Sequence, residues 1–171
     1  MDLRSKKSFA HTILSVLVLG LVICFTNPAG AVTKVPHFAL PAADDGKVID
    51  INAYQGKVVL LNFFATWCPP CRKEIKSLIE LQNEFGVKQL VVIGISMDDG
   101  SSRAKVVSKF IKKTGINYPV ALGDEHVAKD FGGVIGIPQS FLVDQSGNVV
   151  KSYPGYVDHA VFKNDIESLL K

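Results

Sequence analysis

Trp67-Cys68-Pro69-Pro70-Cys71 stands between two segments of different periodicity. Before it runs Lys57-Val58-Val59-Leu60-Leu61-Asn62-Phe63-Phe64, nearly all apolar, as in a strand covered on both faces of a sheet. After it comes Arg72-Lys73-Glu74-Ile75-Lys76-Ser77-Leu78-Ile79-Glu80-Leu81, whose apolar residues recur at helical spacing. The two cysteines therefore sit where a buried strand hands over to a helix. A helix N-terminus carries unsatisfied N–H groups and a partial positive charge. A thiol placed there ionises more readily, and the thiolate is the reactive form. Pro69 suits the first helical position, where its missing N–H costs nothing. Cys68 reads as the N-cap, exposed at the turn. Cys71 falls one turn inside, within reach to close a disulfide.

Working outward, Phe38-Ala39-Leu40 and Val48-Ile49-Asp50-Ile51 flank the turn signal Asp44-Asp45-Gly46, which predicts an N-terminal hairpin. The first helix runs from Pro69 to about Phe85, with Ile75, Leu78, Ile79 and Phe85 inward and Gly86 ending it. Residues 89–97 form a second apolar strand. Asp98-Asp99-Gly100-Ser101-Ser102 supplies turn and cap residues to a second helix, with Val106, Val107, Phe110 and Ile111 inward and Gly115 at its end. Residues 118–122 read as a short strand. Asp124 caps a short helix carrying Val127 and Phe131 and stopped by Gly132-Gly133. Residues 140–143 and 149–153 flank a hairpin loop at 144–148. Asp158 caps the last helix, with Phe162, Ile166, Leu169 and Leu170 inward. Alternating strands and helices followed by a hairpin and a closing helix predict an α/β sandwich with a mixed sheet.

The start of the 171-residue chain is not part of that fold. Arg4, Lys6 and Lys7 precede the apolar run 9–25, and Ala29-Gly30-Ala31 has the small-x-small pattern of a cleavage site. We read 1–31 as a signal peptide and 32–171 as one domain. An uncleaved anchor is the alternative, at the short limit for a membrane span. Cleavage leaves 140 residues, enough for a proper core. Lys plus Arg falls from 19 to 16 and Asp plus Glu from 16 to 15, a net charge of +1. No basic tract stands out, which argues against a nucleic-acid partner. Cys24 leaves with the leader. Both remaining cysteines lie in the motif, in an exported and disulfide-permissive setting.

The strand–Trp-Cys-x-x-Cys–helix unit resembles thioredoxin. Gly136-Ile137-Pro138, just before the late hairpin, resembles the thioredoxin cis-proline loop. The span from Phe38 to the C-terminus is more similar to the extracytoplasmic TlpA, ResA and CcmG-like branch. The hairpin ending in Ala53-Tyr54-Gln55-Gly56-Lys57, the string Asn62-Phe63-Phe64-Ala65-Thr66-Trp67-Cys68-Pro69-Pro70-Cys71 and the added helix and strand at 101–122 carry that likeness. The resemblance implies a thioredoxin-like sandwich with the insertion before the cis-proline region. It implies an extracytoplasmic, periplasmic thiol–disulfide oxidoreductase with no bound cofactor, its redox centre being Cys68 and Cys71. Pro138, if cis, would line the substrate groove, with Trp67, Pro69, Pro70 and Ile137 forming the surroundings of the cysteines. The partners it implies are protein disulfides such as the Cys-x-x-Cys-His sites of apocytochrome c. A membrane electron donor of DsbD or CcdA type is implied as well. The chain gives no signal for self-association and is read as a monomer. Thioredoxin's buried carboxylate is replaced by Asn62, which cannot exchange a proton. Glu74 matches the acidic residue of ResA-like proteins and would inherit that role.

Each residue also has a plainer reading. The cysteines could form a structural disulfide, but so short a loop removes little unfolded-state entropy. Half a zinc site needs two further ligands, and His37, His126 and His159 lack ligand spacing. Glu74 could be a solvated helix residue, Pro138 an ordinary trans proline and Trp67 plain core. Two other functions compete. A peroxiredoxin-like peroxidase calls for Thr three residues before its cysteine, where Ala65 stands. A binding module would use the groove and leave the cysteines idle.

Overall fold

The computed structural model describes residues 33–171, so the leader assigned to 1–31 lies outside them. The elements follow in chain order: β1 (Thr33–Lys34), β2 (Ala39–Pro41), β3 (Val48–Asp50), β4 (Val58–Phe64), α1 (Pro69–Gln89), β5 (Leu90–Ser96), α2 (Arg103–Thr114), β6 (Val120–Leu122), α3 (Glu125–Asp130), β7 (Gln139–Val143), β8 (Asn148–Pro154) and α4 (His159–Leu169). The main sheet has the order β1-β8-β7-β4-β5-β6, and β2-β3 is the separate N-terminal hairpin. β4 pairs parallel with β5 and antiparallel with β7, and β5 pairs parallel with β6. The mixed α/β sandwich is thus borne out. It matches the thioredoxin-like arrangement, with α2 and β6 as the inserted pair.

The uninterrupted apolar run of β4 is explained by its place. It lies at the centre of the sheet with every residue buried. Successive side chains point to opposite faces. Val58, Leu60 and Phe64 join the core shared with α1, α2 and α4. Val59, Leu61 and Phe63 join the core shared with the hairpin and α3. Asn62 belongs by parity to the α1 face, and this places it under the active-site helix.

Two expectations need correction. Val106 was assigned to the inner face of α2 but is 45% exposed. Val107 is the buried residue, with Phe110 and Ile111 packed beside it. The apolar stripe runs along 107, 110 and 111, and Val106 sits at its margin. Asp158 occupies the N-cap of α4, yet its carboxylate makes no bond to the helix amides. It accepts the Tyr156 hydroxyl at 2.9 Å instead. Gly86 does break α1 as predicted, with φ 64° and ψ 167°, before the chain continues to Gln89.

The N-terminal segment touches both edges of the sheet. β1 pairs antiparallel with β8. At the opposite edge Ala42 bridges Ala121, and the Ala43 amide donates to the Val120 carbonyl at 2.9 Å.

Beyond β6 the chain passes against β5 at Gly123, whose amide donates to the Ser96 carbonyl at 2.8 Å. A Cβ there would lie 2.7 Å from Ile95 Cγ2 and 3.1 Å from the Ser96 carbonyl oxygen. Gly123→Ala should therefore destabilise the protein by about 1–3 kcal/mol, the cost of overpacking. The expected observation is a lower urea midpoint with an unchanged slope; a wild-type midpoint would contradict this packing.

Candidate active site

β4 ends at Phe64, and Ala65-Thr66-Trp67 turns the chain into α1. The Cys68 amide donates to the Ala65 carbonyl at 3.2 Å. Cys68 is the N-cap, with extended φ −84° and ψ 112°, and its sulfur accepts from the Cys71 amide at 3.3 Å. Pro69 and Pro70 fill the first two helical positions and have no N–H to offer. Cys68 and Cys71 form a disulfide with a Cα–Cα distance of 5.3 Å.

Cys68 was expected to be exposed. It is only 2% exposed, and Cys71 is buried with it. The disulfide turns the Cys68 sulfur inward, where it lies 3.8 Å from the Ile137 carbonyl oxygen. The ring of Trp67 takes the outer position, 64% exposed. The Ile137–Pro138 peptide bond is cis. The Pro138 carbonyl is held by the Gly155 amide at 2.9 Å. Tertiary structure thus brings the late loop against the motif 70 residues before it in sequence, as Pro138 and Cys68 show by their numbers.

Glu74 is no solvated helix residue, for none of its surface is exposed. One carboxylate oxygen accepts from the Val157 amide at 2.8 Å and the other from Asn62 Nδ2 at 2.7 Å. Asn62 Nδ2 also lies 2.9 Å from Ser140 Oγ, its register partner on β7. Burial pushes the Glu74 pKa up from 4.5 to about 7, against the downward pull of the bonds from Val157, Asn62 and Ser140. Standing three residues after Cys71 on α1, it shares that cysteine's helix face. A carboxyl group with this pKa exchanges protons readily near neutral pH.

Sequence reasoning missed Asp98, which it assigned to a turn. Its buried carboxylate accepts from the Thr66 amide at 2.9 Å, the Thr66 hydroxyl at 2.5 Å and the Ser96 hydroxyl at 2.8 Å. The signal available was an aspartate directly after a fully apolar strand, at the sheet end that carries the cysteines. Arg72 also went unremarked; its Nε donates to the Thr66 carbonyl at 2.6 Å. The three histidines among the described residues sit apart, with His37 3.2 Å from Asp50, His126 3.1 Å from Asp130 and His159 4.0 Å from Glu84. Among the described residues no group of His, Cys, Asp or Glu could hold a metal ion.

Comparison with known proteins places this geometry in a family. The AhpC/TSA family model matches residues 32–152. The thiol-disulfide oxidoreductase ResA of Bacillus subtilis (strain 168) is 32% identical, over 98% of this chain and 96% of that protein. ResA of Bacillus thuringiensis subsp. konkukian (strain 97-27) is also 32% identical, over 88% of this chain and 90% of that protein. Among solved structures, a thiol:disulfide interchange protein of the thioredoxin family from Chlorobium tepidum TLS has 33% identity and a TM-score of 0.74. The match covers 83% of this chain and 99% of that one.

The buried Glu74 sets a pH dependence. Its pKa is raised on folding, so the native state binds more protons than the unfolded chain between about pH 4.5 and 7. Stability that Glu74 contributes at low pH is therefore lost as pH rises through that window, by roughly 3 kcal/mol at most. Glu74→Gln stays neutral throughout. Urea unfolding of the oxidised proteins across pH 4–8 should show a flatter profile in the variant. Parallel profiles would mean that Glu74 is not the group that titrates.

Proposed function

From the chain's membership of the AhpC/TSA family, to which it belongs as a ResA-like thiol–disulfide oxidoreductase, we propose that it reduces protein disulfides outside the cytoplasm. The carrying observation is the Cys68–Cys71 disulfide at the N-cap of α1, under the cis Ile137–Pro138 peptide and one turn from buried Glu74.

In the dithiol form, the Cys68 thiolate attacks one sulfur of a substrate disulfide. A Cys68–substrate bond forms, and the other substrate sulfur leaves as thiolate and takes a proton. Cys71 then gives up its proton and attacks Cys68. The mixed disulfide breaks, the second substrate sulfur leaves, and the enzyme holds its own disulfide. Two electrons have passed to the substrate. Glu74 exchanges the proton of the resolving step, in the place where Asn62 cannot. Ile137 and Pro138 offer backbone to the substrate chain, and Trp67 with Pro69 and Pro70 forms the outer rim.

The direction of reaction rests on the missing amide at 70. A cap sulfur is stabilised as thiolate by N–H groups of the first turn, and here Cys71 alone supplies one. A less stabilised thiolate gives a less stable reduced form and hence a more reducing enzyme. Residues 1–31 act as the export signal, with 32–171 as the working domain; no helix among the described residues is long and apolar enough to cross a membrane. The substrate class is apocytochrome c with its Cys-x-x-Cys-His sites, and the electrons come from a membrane protein of DsbD or CcdA type. A dithiol closed between Cys68 and Cys71, with Ala65 in place of threonine, supports this over a peroxidase.

Cys71→Ser should accumulate covalent adducts on Cys68, because the resolving step is lost. Mass spectrometry of adducts from the exported compartment identifies the substrates. Adducts on Cys71 in the converse variant, with none on Cys68, would reverse the two roles. Pro70→His restores one N–H near the Cys68 sulfur. A hydrogen bond to a charged group is worth roughly 1.5–3 kcal/mol, so the potential should rise by roughly 30–60 mV. Redox titration against glutathione checks this; an unchanged potential would show that the absent donor does not set the poise.

A further inference from the structure

The Thr66 peptide units are gripped from two sides. Asp98, at the end of β5, takes the Thr66 amide and hydroxyl at 2.9 and 2.5 Å. Arg72, the residue after Cys71, donates from Nε to the Thr66 carbonyl at 2.6 Å. Asp98 is itself fixed, because the Ser96 hydroxyl donates to it at 2.8 Å and its own amide donates back to Ser96 Oγ at 3.2 Å. The Met97 amide donates to the Phe64 carbonyl at 2.7 Å, so the end of β5 is already tied to the end of β4. Asp98 is 6% and Thr66 7% exposed. Loss of the Asp98 carboxylate would leave the buried Thr66 amide and hydroxyl without these partners.

Only Trp67 separates Thr66 from Cys68, and Cys68 keeps its cap geometry through the Ala65 carbonyl and the Cys71 amide. We propose that Asp98, with Arg72 as counterpart, is a positioning residue that clamps Thr66 and so holds the Cys68 sulfur on the one helix amide able to stabilise its thiolate. This inference rests on the reading of Cys68 as the exchanging thiol. When the disulfide opens and the sulfurs part, the clamp keeps the cap in register.

The decisive comparison is Asp98→Ala against Asp98→Asn. Both are neutral, so the loss of charge cancels between them. Asparagine keeps a carbonyl oxygen for the Thr66 amide, and its own NH₂ meets the Thr66 hydroxyl, which also accepts. Alanine leaves Thr66 without either partner. Equilibration with glutathione should show Asp98→Ala shifted about tenfold towards the disulfide relative to Asp98→Asn, the loss of about one hydrogen bond's worth of thiolate stabilisation. The apparent pKa of Cys68, read from thiolate absorbance, should be higher in Asp98→Ala. Equal equilibrium constants and equal thiol titrations in the two variants would overturn the clamp. So would equal departures of both from wild type, which would mark an effect of charge alone. If Asp98→Ala does not fold, Thr66→Val keeps the amide bond and loses only the hydroxyl. It should shift the equilibrium the same way by about threefold, and wild-type behaviour there would also overturn the proposal. A wild-type protein that reaches no thiol equilibrium with glutathione would instead sink the exchange reading on which this rests.

Discussion

The hydrogen bonds that Glu74 receives from Asn62 and from the Val157 amide join three parts of the molecule at one carboxyl group. Through Asn62 it reaches the central strand, through Ser140 beyond it the returning hairpin, and through Val157 the segment leading into α4. A carboxyl group with no exposed surface must be neutral or well bonded. Here it is bonded on both oxygens and still holds its proton up to near neutral pH. The charge of this carboxyl group thus changes near neutral pH, at the expense of stability as the pH rises through that range.

Access is governed by what stands outside the disulfide. The sulfurs are buried, whereas Trp67 next to them in the chain is exposed, as is Ile135 two residues before the Ile137 carbonyl that meets the Cys68 sulfur. Ile135 lies in a loop opened by Gly132 and Gly133, both at positive φ, and closed by the cis Ile137–Pro138 bond.

Much of this architecture was legible in the residues. The fully apolar runs at β4 and β5 identified buried strands, since both faces of that part of the sheet are covered. Pro69 and Gly86 bracketed α1 for stereochemical reasons that act locally. The position of Cys68 as cap followed from the same local logic. Its burial did not, because that depends on a loop that arrives 70 residues later. The cis bond came from likeness to a known loop, not from Ile137-Pro138 itself. Asp98 was hidden for a related reason. An aspartate followed by Asp99-Gly100 reads as a turn, and nothing local says that a threonine from the turn between β4 and α1 will be set against it. Val106 shows the limit of periodicity, which finds the stripe but not its margin.

The first described residues clasp both margins of the sheet, β1 on β8 and Ala42 on β6. The part of the domain made earliest thus waits for partners at 149 and 121, far along the chain. Such distant pairings are closed slowly. Until they close, Asn148 and Val149 of β8 and Ala121 of β6 lack these partners, and open edges invite association. β6 is only three residues long, which leaves a newly made molecule little edge to share on that side during its assembly.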